Sequence, residues 1–333
     1  MTNFLNKKAR MRFIFKAVPL IFVSCLAAPF AQAQDASILA GTMGVRENDQ
    51  NSFAVQLGYS QRLGDYTAVS AEYVNEGHPE LHHRDGLASQ FWLHTRVPDR
   101  GWSFAAGVGP YFYFDTTSGR GAAQEYRNDH GWGAIVSASA KYHLASNTYV
   151  EVKASRIKGL SGHDSDLLLV GVGYELGQTA RAARLENAEP GDNTILLLRS
   201  HSIVNSFNSE TSSGGAIEYR RTVNENLELS AMALNEGKVG TLDRKGLVTQ
   251  AWLMRPLTER TILSLGAGVY TMRDKTERDN AAQEDTTHVA PIVSVGVRYR
   301  FNPTLRAELT WSRVITNYHR DSDLFLLGAG VSF

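Results

Sequence analysis

The chain has 333 residues, which is enough for two ordinary domains or one large one. Its 34 Lys and Arg residues balance 34 Asp and Glu residues, so the formal net charge is zero. That balance excludes the basic footprint of a nucleic-acid-binding protein. The single cysteine, Cys25, excludes a fold that is held together by disulfides within the chain.

The first 33 residues have the three parts of a secretory signal peptide. A basic lead from Lys7 to Lys16 precedes the apolar run "AVPLIFVSCLAAPF". That run is shorter than the roughly 20 residues of a membrane-spanning helix. "AQA" at Ala31–Ala33 supplies the small residues of a cleavage site. We therefore predict a signal peptide over residues 1–33; the alternatives are a retained N-terminal anchor and a lipid-modified Cys25.

Residues 34–333 would then form the mature protein. The signal peptide takes away five basic residues and no acidic ones, so 29 Lys and Arg remain against 34 Asp and Glu, a formal charge of −5. We expect no nucleic-acid partner. No later stretch approaches 18 consecutive apolar residues, so no helical membrane span is predicted.

The mature sequence reads as strands of about 10–13 residues in which apolar and polar side chains alternate. In "YVEVKASRI" one face holds Val150 and Val152, and the other holds Glu151 and Lys153. A membrane barrel needs one face for lipid and one for a polar or filled lumen. We predict an all-β fold, a transmembrane antiparallel β-barrel; a soluble all-β sandwich is the alternative.

Short connections alternate with long ones along the chain. Those at 63–65, 98–101 and 145–147 are short, and those at 75–86 and 114–131 are long. In this pattern residues 35–333 resemble the superfamily of Gram-negative outer-membrane β-barrels, whose periplasmic turns are short and whose outer loops are long. The resemblance implies localisation in the outer membrane, with outer-membrane lipid and lipopolysaccharide as partners.

The last predicted strand also fits this resemblance. The chain ends on Phe333, and Val331, Ala329 and Leu327 lie on the same face of that strand. Such an ending looks like the signal that barrel-assembly machinery reads. That machinery is therefore an expected partner, through Phe333.

The sequence is an internal duplication. "DSDLLLVGVG" at 164–173 returns as "DSDLFLLGAG" at 321–330, and "YVNEGHPELHHRDGLASQFWL" at 73–93 returns as "ALNEGKVGTLDRKGLVTQAWL" at 233–253. We count eight strands in each half, sixteen in all. The predicted domains are the first repeat over residues 34–176, a linker over 177–192 and the second repeat over 193–333.

Two architectures fit this duplication: tandem eight-stranded barrels, or one sixteen-stranded barrel. The joining segment is longer than the other inner turns, which slightly favours separate barrels. The repeated Trp92 and Trp252, with Gly107 and Gly266, also suit a narrow interior that side chains fill.

Charged and polar residues repeat on the inward faces of both halves. Lys141 and Glu151 fall on neighbouring strands, and Arg298 and Glu308 take their places in the second half. We expect ion pairs that are satisfied inside each lumen. The predicted lumen network comprises Gln90, Trp92, Lys141, Glu151, Gln250, Trp252, Arg298 and Glu308.

Repeated polar motifs also mark the outer ends of the strands: "NEG", "SR" and "DSD" occur in both halves. Asn, Asp and Gly commonly shape turns, so loop geometry is one explanation. The other is a rim that binds a polar ligand, such as a sugar or a lipopolysaccharide phosphate held by arginine. The candidate rim residues are Glu76, Asp115, Arg156, Asp164, Glu236, Asp274, Arg313 and Asp321.

Histidines are concentrated in the first half, which holds seven of the ten. His78, His82, His83 and His130 fall on its predicted outer loops, as does His163. Such residues can bind a metal ion or act in acid–base chemistry. Their spacing matches no standard metal motif, so we predict neither a metal nor a cofactor. His82, His83 and Asp85 remain catalytic candidates.

The lipid A deacylases offer an enzymatic comparison, since they are eight-stranded barrels with a His-x-Ser-Asn motif. Here Ser155 and Ser312 occupy the serine position, but Lys153 and Thr310 replace the histidine. A serine without its general base is a poor nucleophile. We therefore expect a non-enzymatic outer-membrane protein with a polar outer rim; the alternatives are a hydrolase of lipid or polysaccharide with a histidine-rich rim site, and a diffusion porin.

Overall fold

The computed structural model of the chain describes ten ranges of residues. The predicted signal peptide, residues 177–191 of the predicted linker and His163 lie outside them. No helix in the described part of the chain is long and apolar enough to cross a membrane. The chain divides into two compact units, which we describe one at a time. The described ranges are 34–45, 50–79, 82–118, 126–144, 146–160, 164–176, 192–206, 209–239, 242–276 and 284–333.

The first unit is a closed barrel of eight antiparallel strands. Each strand pairs with the next one along the chain, and the first pairs with the eighth to close the cylinder. The strands are β1 (Gln34–Val45), β2 (Gln50–Arg62), β3 (Thr67–Asn75), β4 (His82–His94), β5 (Gly101–Ser118), β6 (Tyr126–His143), β7 (Thr148–Gly159) and β8 (Ser165–Leu176).

The second unit repeats this architecture, with its first and last strands paired. The prediction of sixteen strands in two eight-strand barrels is therefore confirmed, and the single sixteen-stranded barrel is excluded for the described residues. The strands are β9 (Asn193–Val204), β10 (Thr211–Asn224), β11 (Leu227–Val239), β12 (Leu242–Pro256), β13 (Thr261–Thr276), β14 (Glu284–Arg300), β15 (Leu305–Val314) and β16 (Ser322–Ser332).

The polarity of the two faces of the barrel wall is the reverse of that in a soluble protein. On β7, Val150 and Val152 are 41% and 45% exposed, whereas Glu151 and Lys153 are 4% and 1% exposed. Apolar side chains therefore form the outer wall, and charged side chains lie in the lumen. This arrangement suits a barrel that is surrounded by hydrocarbon.

Aromatic side chains flank the apolar wall where strands end. Trp102 at the start of β5 packs edge-on against Tyr142 near the end of β6, with their ring centroids 5.2 Å apart. In the second barrel Tyr299 packs against Phe301 in the same way, at 5.1 Å. Aromatic rings at the strand ends match the interfacial girdle of a membrane barrel.

The lumen also contains an apolar layer that the sequence pattern did not reveal. In the first barrel it includes Leu39, Met43, Ile135 and Leu169, all of which are at most 1% exposed. The second barrel has a matching layer that includes Leu196, Met232 and Ile292. An eight-stranded barrel is narrow enough for inward side chains to meet and exclude water, so apolar residues are stable there too.

Several strands extend further than predicted. The long connections that we expected at 75–86 and 114–131 are shortened because β4 begins at His82 and β5 continues to Ser118. His82, His83 and His130 consequently lie on strands rather than on loops, which corrects that expectation. The pairing simply continues along these hairpins.

A glycine faces the lumen tryptophan in each barrel. A Cβ atom at Gly107 would lie 2.6 Å from the ring of Trp92, and one at Gly266 would lie 2.7 Å from the ring of Trp252. Only a residue without a side chain leaves room for the indole at these positions. The repeated pairs in the sequence therefore record a packing requirement that both lumens share.

Candidate functional site

The centre of the first lumen is a buried ion pair between Glu72 and Lys153. The Lys153 ammonium donates to both carboxylate oxygens of Glu72 at 2.9 Å. Gln90 donates to the same carboxylate, and Ser70 also donates to it. Burying two charges costs free energy unless their attraction and additional hydrogen bonds offset it. These donors provide that compensation, so the cluster fills the lumen without an unpaired charge.

A second charged layer lies on the side of this cluster toward the start of β1. Lys141 faces Glu151 across the β6–β7 pair, with Nζ 3.9 Å from Oε2. Its nearer carboxylate is Asp35, at 3.5 Å, and Tyr149 donates a 2.6 Å hydrogen bond to the same group. The structure thus brings the predicted Lys141 and Glu151 together, with Asp35 as a third member.

The second lumen holds a denser network around Arg298. Its guanidinium donates two hydrogen bonds to Glu228, at 2.9 and 2.8 Å, and one to Glu308 at 3.1 Å. Arg220 forms ion pairs with Glu218 at 3.0 Å and Glu308 at 2.5 Å. Paired donations of this kind hold carboxylates more firmly than a point charge does.

Each barrel places a cation over its lumen tryptophan, but from a different strand. Lys153 of β7 lies 4.8 Å from the ring centre of Trp92, and Arg220 of β10 lies 4.0 Å from that of Trp252. Both indole N–H groups donate to a serine at the same repeat position, Ser70 or Ser230. The two halves therefore keep the cation–π contact although its donor has moved.

The remaining predicted lumen residue, Gln250, joins a chain of hydroxyls. Its amide donates to Ser294 at 2.8 Å, and Ser294 shares a 2.7 Å hydrogen bond with Ser312. In the first barrel Ser137 and Ser155 form the matching pair. Ser155 and Ser312, the serines that the deacylase comparison identified, thus each form a hydrogen bond to a serine of the neighbouring strand.

The "NEG" motif forms a β-bulge that directs its glutamate side chain into the lumen. Asn235 and Gly237 pair with consecutive residues of β12, so Glu236 is the extra residue of a β-bulge. The Gly237 N–H donates to the Asn235 side chain, and its φ of 85° is one that glycine tolerates. In the first barrel Asn75 and Gly77 form the same turn, with φ of 74° at Gly77.

In the first barrel this glutamate forms a polar cap at the end of the lumen. Arg84 donates to both oxygens of Glu76, at 2.9 and 2.6 Å. Ser165 and Tyr111 also donate to that carboxylate. Glu76 is completely buried, so it closes the lumen rather than facing a ligand from a rim.

The second barrel builds its cap from the same positions with a different pairing. Arg244 donates to Asp274 through two hydrogen bonds, at 2.9 and 3.1 Å, while Glu236 accepts from Ser202 and Ser322. Tyr318, in the connection after β15, donates to Asp274 at 2.7 Å. Burial raises the pKa of Tyr318, so its hydroxyl keeps the proton that it donates.

Five of the eight candidate rim residues are therefore buried: Glu76, Glu236, Asp274, Arg313 and Asp321. Asp321 accepts from the backbone and hydroxyl of Thr316, which shapes the loop before β16. The two arginines lie on the outward faces of their strands, where Arg156 is exposed and Arg313 is buried. Arg156 pairs with Asp166 at 3.1 Å, and both side chains are close to half exposed.

Arg313 makes the equivalent outward pair in the second barrel. It donates two hydrogen bonds to Asp323, at 2.9 and 2.8 Å, and the indole of Trp311 donates to the same carboxylate. The two last rim candidates belong to the first barrel. Asp164 lies directly before β8, and Asp115 is on β5, within 3.1 Å of His82 Nδ1.

The histidines do not converge on one site. His82 lies on the lumen side of β4, whereas its neighbour His83 is on the outer side and stacks on His78 with ring centroids 4.3 Å apart. His130 packs edge-on against Phe114. Asp85 accepts a hydrogen bond from Tyr73 on the outer wall. No group of three or more potential metal ligands occurs in the described ranges.

A small cavity of about 70 Å³ lies in the first lumen, on the Asp35 side of the Glu72 cluster. It is lined by polar groups, among them Lys141, His143 and Glu175. His143 Nδ1 lies 3.0 Å from Glu175, and Arg62 donates to the same carboxylate. The cavity is large enough for a few water molecules and far too small for a solute path through the barrel.

Sequence reasoning missed the residues that make these networks work: Glu72, Arg84, Arg220, Glu228 and Arg244. A signal existed for two of them, because Arg84 and Arg244 occupy the same repeat position beside the "NEG" motif. Glu72 and Arg220 have no charged counterpart in the other half. Only the three-dimensional pairing identifies them.

Comparisons with known proteins give similar structures but no family. No family model matches the chain, and no curated protein matches it. Ail, the attachment invasion locus protein of Yersinia pestis, is similar at 16% identity, covering 44% of this chain and 100% of Ail, with a TM-score of 0.36. The N-terminal β-barrel domain of Pseudomonas aeruginosa OprF is similar at 14% identity, covering 43% and 98%, with a TM-score of 0.34. Neisserial surface protein A is similar at 11% identity, covering 43% and 96%, with a TM-score of 0.35.

The geometry of the chain itself identifies its environment. Closed strand pairing leaves no sheet edge, which is what hydrocarbon demands of a β structure. The outer walls are apolar and the charges lie inside. The chain therefore folds into two closed eight-stranded barrels whose outer walls suit a membrane.

The Glu72–Lys153 pair gives a direct test of the lumen network. Lys153→Met leaves a buried carboxylate without its cation, so we expect a loss of about 3–5 kcal/mol in the unfolding free energy. The measurement is a guanidinium titration of the protein in lipid vesicles. The double variant Glu72→Gln/Lys153→Met should recover most of the loss. Lys158→Met, an exposed lysine on the same strand, is the matched control; equal losses in all three variants would contradict the assignment.

Proposed function

We propose that the protein is a non-conducting, non-enzymatic outer-membrane protein whose barrels present polar groups at the cell surface for binding. The observation that carries this proposal is the filled interior of both barrels. Charged clusters, an apolar layer and a polar cap follow one another along each lumen. Because every layer crosses the barrel, none leaves a continuous path for ions.

The surface part of the proposal rests on charges at the outer strand ends that remain accessible. Arg127 and Asp129 on β6 form one exposed pair, and Arg156 and Asp166 form another. Exposed ion pairs contribute little stability, so holding the fold together does not account for them. Available guanidinium groups suit anionic or sugar ligands. The buried members of the predicted rim, such as Glu76, are not part of this proposal.

The non-enzymatic part rests on the positions of the catalytic candidates. His82 and His83 lie on opposite faces of β4, and Asp85 shares the outer face with His83 rather than with His82. Asp115 orients the ring of His82. General acid–base chemistry needs its groups within reach of one reacting atom, and the three candidates do not share such a point.

Conductance distinguishes this proposal from a porin. The purified protein in planar bilayers should give no current steps above the baseline, because the lumens are plugged. A sixteen-stranded porin that is recorded under the same conditions serves as the positive control. Regular open-channel steps from the protein would overturn the proposal.

The hydrolase alternative has its own test. Cells that express His82→Ala should have the same lipid and polysaccharide profile by mass spectrometry as cells with the wild-type protein. A vector without the gene provides the baseline. A product that appears with the wild type and disappears with His82→Ala would contradict the non-enzymatic proposal.

A further inference from the structure

One row of residues on the outer wall of the second barrel differs sharply from its duplicate. Strand pairing aligns Arg199 of β9 with Gly215, Gly215 with Asn235, and Asn235 with Lys245 of β12. All these positions face away from the lumen. The row therefore puts two cations on the outer wall, about 14 Å apart at the usual spacing of strands.

The first barrel has the same row without the cations. Ala40 pairs with Val55, Val55 with Asn75, and Asn75 with Asp85. Relative to that row, the second barrel carries Arg for Ala, Gly for Val and Lys for Asp. Two cations have been gained, and of the two side chains between them the one at Val55 is lost at Gly215 while the asparagine is kept.

The cations have no ion-pair partner within the described ranges, although a neighbour does. Arg273, on β13 beside Lys245, is paired with Asp285. Arg199 and Lys245 are both exposed. A charge on the wall of a membrane barrel is destabilising unless it lies near the interface or meets an opposite charge. An anion from outside the chain would complete this pair.

Beside the cations the outer wall has a shallow, open apolar groove. Leu197, Ile217, Ala233 and Leu327 line it, and Leu197 and Ile217 are 63% and 57% exposed. Gly215 forms its floor at the level of the cations. A cationic end beside this apolar groove is complementary to an amphiphile with an anionic head.

We propose that this wall binds a phosphorylated glycolipid of the outer leaflet, with phosphates on Arg199 and Lys245 and an acyl chain in the groove. The inference rests on the proposed function in requiring an outer-membrane barrel with the strand ends beyond Lys245 at the cell surface. Arginine and lysine both recognise phosphate. Two cations separated by Gly215 and Asn235 favour a head group with two phosphates over a lipid with one.

The test is native mass spectrometry of the detergent-purified full chain with diphosphoryl lipid A as the probe. We expect one tightly bound lipid per chain, and weaker binding of phosphate-free lipid A. Arg199→Ala/Lys245→Ala should weaken binding of the diphosphoryl probe by about tenfold or more, the effect of losing hydrogen bonds to charged groups. Arg221→Ala removes an exposed arginine from the other end of β10 and should leave binding unchanged.

A further variant separates shape from charge. Gly215→Val restores the residue type of the first barrel, and a Cβ there would lie 3.3 Å from the carbonyl oxygen of Leu198, a contact that a small shift relieves. It should weaken lipid binding while both cations remain. Heat-modifiable migration in gels verifies that each variant is folded.

Three results would overturn the proposal or its assignment to the glycolipid. Equal binding of the phosphorylated and phosphate-free probes, or unchanged binding by Arg199→Ala/Lys245→Ala, would overturn the site. Phosphatidylglycerol binding as tightly as diphosphoryl lipid A would overturn the assignment to the glycolipid. Conductance of the same samples tests the proposed function separately from the lipid site. A current would refute the proposed function and leave the site intact. Loss of lipid selectivity would refute the site and leave the proposed function intact.

Discussion

Hydrocarbon offers no hydrogen-bond partner to a peptide group or a charge, and both barrels are built around that constraint. The backbone meets it by closure, since β1 pairs with β8 and β9 pairs with β16. The side chains satisfy the same constraint because the apolar ones face outward and the charged ones face inward, the reverse of a soluble protein. Charges that would be costly on the wall lie in the lumen, where opposite charges and hydroxyls surround them. The plug that results is a consequence of this inversion, and the proposal that the barrels do not conduct rests on it.

The duplication shows how much freedom the constraint leaves. Both halves keep the tryptophan, its facing glycine and the serine that accepts its N–H, because these fix the packing of a narrow lumen. The charges are less constrained: Glu72 and Lys153 in the first barrel give way to Met232 and Thr310, while Arg220 takes over the cation–π contact. Both lumens retain ion pairs between buried cations and carboxylates. The strands that supply these charges differ between the two halves.

The alternation of side chains and the repeat made the barrel fold predictable from the sequence, since both depend on local spacing. The inward direction of Lys141 and Glu151 followed from the same period of two. The role of "NEG" did not, because a bulge shifts that period by one residue and turns Glu236 from the rim into the lumen. Partners such as Arg84 for Glu76 lie on neighbouring strands at a level that only the register determines. Local pattern thus specifies the wall, and the contents of the lumen depend on tertiary pairing.

The central expectation is that the outer wall meets lipid while side chains fill the lumen. Spin labels at consecutive positions of β8 and β16 in lipid vesicles, in a Cys25→Ser background, test it most directly. Collisions with oxygen should be frequent at the outward positions Leu168, Val170, Phe325 and Leu327. The inward positions Leu167, Leu169, Leu324 and Leu326, all at most 3% exposed, should be shielded from oxygen and from a water-soluble nickel reagent alike. Ready access of the nickel reagent to the inward positions, or no alternation between the two sets, would contradict the account.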